Sequence, residues 1–255
     1  MKLFLASGFR PVMTLVVLLA VWAVVSKTSG IQTFLLPTPK SVIIALWEQR
    51  GMLASSTVTT LTETALGLLL GTILGAVSAL AIVYSPFMQR WLMPLLLISQ
   101  AIPVFALAPL LVLWFGFGMA SKVVMAIIVI FFPITAAFSD GLRRTDLGFL
   151  DLARTMNASP LSILSHVRLP AAMPAFASGL RVATAIAPIG AVVGEWVGAS
   201  SGLGYVMLNA NARIETDVMF AALFVLALMA ISLWVLVDRV LKRLLFWAPD
   251  TTAMA

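Results

Sequence analysis

The chain has 255 residues, 62% of them hydrophobic and 10% charged, with a mean hydropathy of +1.09. That composition excludes a water-soluble domain of this size, which would lack the polar side chains to cover itself, and the long apolar runs exclude a barrel of short alternating strands. The net charge of +6 does not point to nucleic acid, because Lys and Arg flank apolar runs as membrane orientation demands; with no cysteine, disulfide and thiol chemistry are absent.

The expected class is an all-α integral membrane protein with six transmembrane helices. The N-terminus has the basic start and apolar run of a signal peptide. The run continues to about Val25 with no small-residue cleavage site behind it, so residues 11–26 read as a retained first span. Leu36-Pro37-Thr38-Pro39 sets an extended turn, and Ser41 to Trp47 reads as a short interfacial helix with Trp47 at headgroup depth. Span two covers 60–84 and carries Gly67, Gly71 and Gly75, a row of small residues that lets a neighbouring backbone approach. Span three covers 91–115 and is interrupted by Gln100, Pro103 and Pro109. Such a break is tolerated where protein or a water-lined path satisfies the freed groups, and it serves either packing or the path. Span four covers 121–139, with a kink at Pro133. Span five covers 171–197 and carries a second small row, Gly190, Gly194 and Gly198. Span six covers 218–237.

Between spans four and five lies a mixed polar and apolar island, residues 146–170, holding the chain's one histidine, His166. It reads as two short helices. Asn157-Ala158 ends the first. Ser159 caps the second with Pro160 in its first turn, and Leu169-Pro170 stops it. The island is either a loop lying on the headgroups or a docking element for a soluble partner. With the N-terminus inside, ten Lys and Arg flank the inner ends of the spans against five on the outer segments, which puts both termini and the island in the cytoplasm.

Chemistry of its own is hard to find in this chain. No lysine follows a glycine, so the phosphate loop of an ATPase is missing. One histidine and no cysteine argue against catalytic metal. We expect no catalytic or metal-binding residues, and His166 reads as a surface or docking contact. Glu195, beside Trp196, is either a path carboxylate or an interfacial group paired with Arg213 or water. Glu63 reads as interfacial. Gln100 offers a donor and an acceptor to a polar solute. Phe105 and Trp114 either stack on a ligand or pack. Arg181 either snorkels or pairs with a carboxylate. The glycine rows serve either helices that shift or static packing.

The spacing Asp151-x-Ala153, Asn157, Val167-x-Leu169-Pro170 resembles the EAA loop of ABC-importer permeases. Asp151 stands conservatively for the family's Glu, Leu152 departs from its Ala, and Asn157 replaces its Gly, Asn being the next residue to tolerate a left-handed turn. Ile102-Pro103 through Trp114-Phe115-Gly116, Phe132-Pro133-Ile134 and Ser201-Gly202-Leu203-Gly204-Tyr205 resemble the sulfonate, taurine, nitrate and thiamine-precursor branch. The wording at residues 100–106 and 140–146 leans toward the hydroxymethylpyrimidine permeases.

The resemblance implies a type I importer (MetI-like) fold in the bacterial inner membrane. It implies a second permease subunit, often identical, and two ABC ATPase subunits that hold ATP and Mg, with no cofactor in this chain. A periplasmic or lipid-anchored binding protein delivers the solute. Asp151, Ala153, Asn157, Ser159, Val167, Leu169 and Pro170 are the expected coupling residues. The expected path residues are Gln100, Phe105, Glu195 and Trp196. An ion-coupled secondary transporter is the alternative from another class; it requires mid-span carboxylates and an internal repeat.

Overall fold

The structure, a computed structural model, describes residues 2–28, 30 and 32–248; the side chains of Lys2 and Arg10, counted in the charge bias, lie outside those described, as do residues 249–255. The helices in chain order are α1 (Lys2–Thr28), α2 (Pro39–Glu48), α3 (Arg50–Tyr84), α4 (Pro86–Ala101), α5 (Val104–Phe115), α6 (Met119–Arg143), α7 (Leu147–Thr155), α8 (Pro160–Ile163), α9 (Leu169–Gly198), α10 (Leu203–Ala212) and α11 (Thr216–Leu244), with a π turn, Leu164–Arg168, joining α8 to α9. There is no strand among the described residues.

Local chemistry explains the boundaries. Thr38 caps α2 by accepting from the Ser41 amide at 3.2 Å, with Pro39 in the first turn. Helix α3 starts at Arg50 rather than at residue 60. Its Ser- and Thr-rich start is helical because the hydroxyls donate to carbonyls one turn back: Thr57 to Leu53 at 2.6 Å, Thr62 to Val58 at 2.7 Å. These hydroxyls are thereby satisfied within their own helix.

The expected stop at Leu169-Pro170 is not there. The chain continues from Pro160 to Gly198 as one 39-residue span. The π turn accounts for this. It widens the backbone where the Pro170 ring would otherwise meet the carbonyl four residues back. The resulting rod is about 58 Å long at 1.5 Å per residue.

By length and composition, α3, α6, the α8–α9 rod and α11 can each cross a membrane. Helices α4 and α5 are bent by 105° at Ile102-Pro103, a geometry open to a broken span or a re-entrant loop. The packing of α3 decides between them. Gly67 faces Ala126, Gly71 faces Ile130 and Gly75 faces Ile134. Numbers rise together along both helices, so α3 and α6 run parallel. The chain leaves α3 at one end and enters α6 at the other, so α4 and α5 together make a full crossing. Helix α9 meets α6 antiparallel, Gly179 against Ala137 and Gly190 against Ala126, and also packs on α3.

The first row and Gly190 and Gly194 of the second close on α6, Gly198 meets Val112 of α5, and Ala126 sits against both Gly67 and Gly190. Buried Leu68, Ile130, Ile134, Ala183 and Ala187 fill this three-helix centre. At one end Ala79, Phe138, Leu142 and Ala172 pack together. The same end holds the basic tail of α11, where Arg181 of α9 pairs with Asp238 at 2.7 Å and Lys242 adds a second contact at 3.0 Å. At the other end α10 packs with α2, α11 and the start of α3 through Val42, Leu53, Leu203, Val206 and Ala221. Trp22 of α1 donates to the Pro37 carbonyl at 3.1 Å and stacks on Phe220. Trp47 is 70% exposed on α2, with the Arg50 guanidinium over its ring at 4.7 Å.

Candidate functional site

The two-helix foot, α7 and α8, hangs from the end that carries the basic tail of α11. The Asp146 carboxylate caps α7 by accepting from the Gly148 amide at 2.7 Å. At its far end the Asn157 amide donates to Arg154 and the Ala158 amide to Ala153, both at 3.0 Å, a Schellman-type stop. Asn157 has φ 56°, so it takes the left-handed turn that glycine would otherwise supply. Ser159 then accepts from the Ser162 amide at 3.2 Å, with Pro160 at the first position of α8.

Leu150 is buried and pins the foot. Leu147, Phe149, Leu152, Met156 and Leu161 are all exposed, each at 59% or more. Sequence reasoning placed the coupling role on the motif residues and took Leu161 as part of the apolar side of the second helix, but missed Leu147, Phe149 and Met156; their signal was apolar residues of the wrong kind for a solvated loop. The motif residues divide. Asp151, Asn157 and Ser159 are exposed, and Asp151 is paired with Arg154 at 2.9 Å. Ala153 and Val167 are half-buried. Leu169 packs inward on the cluster of Ala79, Phe138 and Leu142, and Pro170 is exposed at the top of the rod. His166 is exposed and contacts Ser165 Oγ at 2.9 Å.

The expected path residues are not gathered into one site. Gln100 is exposed at the end of α4 and bonds only its neighbour Ser99 at 3.4 Å. Phe105 and Trp196 meet, ring centroids 6.1 Å apart. Trp114 is 67% exposed. An open groove of about 400 Å³ between α3 and α11 is lined by Leu61, Leu228, Leu233 and other apolar residues, with Thr57 and Ser232 its polar members. It has no charged side chain and no set of convergent polar groups to orient a solute.

Glu195 and Glu63 correct the sequence reading. Neither lies on the surface of the chain, and Glu195 pairs with Thr60 and Gly204 rather than with Arg213. Both are 1% exposed. Glu195 Oε1 accepts from the Thr60 hydroxyl at 2.6 Å, and its Oε2 accepts from the Gly204 amide at 2.5 Å. The Leu203 amide donates to Thr60 Oγ1 at 2.8 Å. Glu63 accepts from Lys122 at 2.9 Å, and Lys122, one of the five positive residues counted on the outer segments, is itself 5% exposed. Partners from other helices hold both oxygens of Glu195 and Oε1 of Glu63, while Glu63 Oε2 is buried without a hydrogen-bond partner. Gly202, at φ 112°, lies so close to the Glu195 carboxyl that any Cβ there would collide with it. Among the described residues no group of three His, Cys, Asp or Glu is placed to hold a metal ion.

A multi-pass helical bundle with a bent helix pair and an exposed apolar foot on a continuous helical rod has the form of a transport permease. The chain belongs to the family of binding-protein-dependent transport system inner membrane components, which it matches over residues 67–246. It is 52% identical over 237 residues (93% of this chain, 97% of the relative) to a probable ABC transporter permease protein of Haemophilus influenzae. It is 34% identical over 242 residues (94% and 96%) to a formylaminopyrimidine transport permease of Halalkalibacterium halodurans. Further matched relatives are named for aliphatic sulfonates and taurine. The fold matches that of a chain of the MetNI methionine ABC transporter in an inward-facing conformation, with a TM-score of 0.67 and 21% identity over 77% of this chain and 97% of that one. This protein is thus the multi-pass membrane permease subunit of an ABC importer.

Proposed function

We propose that this subunit forms half of a translocation path for a small polar solute and is driven by a separate ATPase seated on the foot, residues 146–170. The observation that carries the reading is the continuity of the foot with the α8–α9 rod. A push on the exposed Leu161 of α8 travels into the membrane through one helix, and the exposed Leu152 and Met156 stand across the Asn157 turn from it. Asp151, Ala153, Asn157, Ser159, Val167, Leu169 and Pro170 shape that seat or fix its angle. ATP and Mg belong to the partner. Both termini and the foot face the cytoplasm, in keeping with the positive charge at that end. A second, identical permease completes the path, and a binding protein delivers the solute from outside. The partner's closure would bias the permease pair between two states by binding one of them better.

A pyrimidine precursor of thiamine is the solute the reading favours, supported by the wording at residues 100–106 and 140–146 and by the formylaminopyrimidine relative. A sulfonate, taurine or nitrate is the second reading, favoured by the relatives named for sulfonates and taurine. Uptake of labelled hydroxymethylpyrimidine against labelled taurine, in cells with and without this chain, decides. Loss of pyrimidine uptake alone supports the first; loss of taurine uptake alone overturns it. Purification of the chain with an ATPase subunit tests the class of mechanism.

A further inference from the structure

The rod that begins at the foot ends at Gly198, and residues 199–202 are irregular before α10 begins at Leu203. Movement of α9 would be lost in such a linker. The buried hydrogen bonds at this end bypass it. Glu195, in the last turn of α9, accepts directly from the Gly204 amide in the first turn of α10. Thr60 of α3 closes the ring, donating to Glu195 and accepting from the Leu203 amide. All three side-chain and backbone groups are removed from water, with Thr60 and Leu203 at 0% exposure and Glu195 at 1%. Gly202 leaves the space the carboxyl needs.

We infer that the Thr60–Glu195–Gly204 clasp makes α10 the outer output of the lever whose input is the cytoplasmic foot. This rests on the proposed seating of an ATPase on that foot. Helix α10 and the ends of α2 and α11 packed on it then move with α9, and a binding protein pressing on that outer unit is felt by the ATPase. Coupling of this kind is reciprocal.

The test uses the assembled importer in proteoliposomes, with Thr60→Val, Thr60→Ser and Glu195→Gln. Valine removes the hydroxyl without changing shape. Serine keeps it. Glutamine puts an amide donor against one of the two donors that Glu195 accepts. Basal ATP hydrolysis reports seating of the foot; its stimulation by solute-loaded binding protein reports the lever. Thr60→Val and Glu195→Gln are expected to lower stimulation about tenfold or more and to leave basal hydrolysis intact, with Thr60→Ser like the parent. In the chain alone, amide exchange over residues 199–206 rises in Thr60→Val while that over 171–190 does not. Undiminished stimulation in Thr60→Val overturns the inference. So does a parallel fall of basal and stimulated hydrolysis, which marks the clasp as a fold element only. Failure of the parent chain to assemble with any ATPase overturns the function reading instead.

Discussion

Gly190→Ala tests the three-helix centre most sharply. The added Cβ would stand 2.6 Å from the Ala126 Cα and 3.1 Å from its amide nitrogen. Comfortable carbon–carbon contact needs about 3.5–4.0 Å, so α9 and α6 must part by roughly 1 Å. The obstacle is backbone and cannot rotate away. Ala126 has little room to retreat, because Gly67 of α3 is closed against its Cβ. Overpacking of this kind costs about 1–3 kcal/mol, partly offset by the helix preference of alanine over glycine, up to about 1 kcal/mol. Gly51→Ala is the control, since nothing lies within 4 Å of its Cβ; it should be neutral or mildly stabilising. Equilibrium unfolding of the detergent-purified variants measures both. Gly190→Ala should fall below the parent and Gly51→Ala should not. Unchanged or raised stability in Gly190→Ala would refute the argument that α3 and α9 both close on α6 at Ala126.

Lys122→Met strands the Glu63 carboxyl in a dry site and should cost about 3–5 kcal/mol; the double variant with Glu63→Gln should recover part of it, and no recovery would argue against the pair. Gly194→Leu, whose side chain would enter the Lys122 backbone, should abolish uptake, and unchanged uptake would retire the row as a transport element. Asp151→Lys should remove ATPase coupling while leaving the chain in the membrane, as uptake and membrane fractionation together will show. Asp238→Asn should loosen the tie between α9 and α11, where Arg181 is about a third exposed; a stability loss of no more than about 1 kcal/mol is expected, and a much larger loss would show a tighter link.

Local signals were legible in the sequence, and long-range ones were not. Ser159-Pro160 announced the start of α8, and Asn157 the turn before it, because capping and left-handed turns depend on a few adjacent residues. The glycine rows announced two close-packed faces, and the structure adds that every member but Gly198 meets α6. Pro170 misled, because a π turn absorbs what proline forbids in a regular helix. Glu63 and Lys122 stand 59 residues apart in the chain, Thr60 and Glu195 135. No local pattern pairs them, so each looked like an isolated polar group near a membrane surface. The parallel run of α3 and α6, which settles the bent pair as a crossing, likewise needs contacts between distant segments.

The central claim is that the foot faces the cell interior and carries the motor subunit. The chain has no cysteine, so Met156→Cys, at a position 74% exposed, reports on this without interference. A membrane-impermeant maleimide should label it in inverted vesicles stripped of ATPase, fail to label it in intact cells, and label it weakly once the ATPase is restored. Labelling from outside in intact cells, or labelling indifferent to the ATPase, would contradict the account.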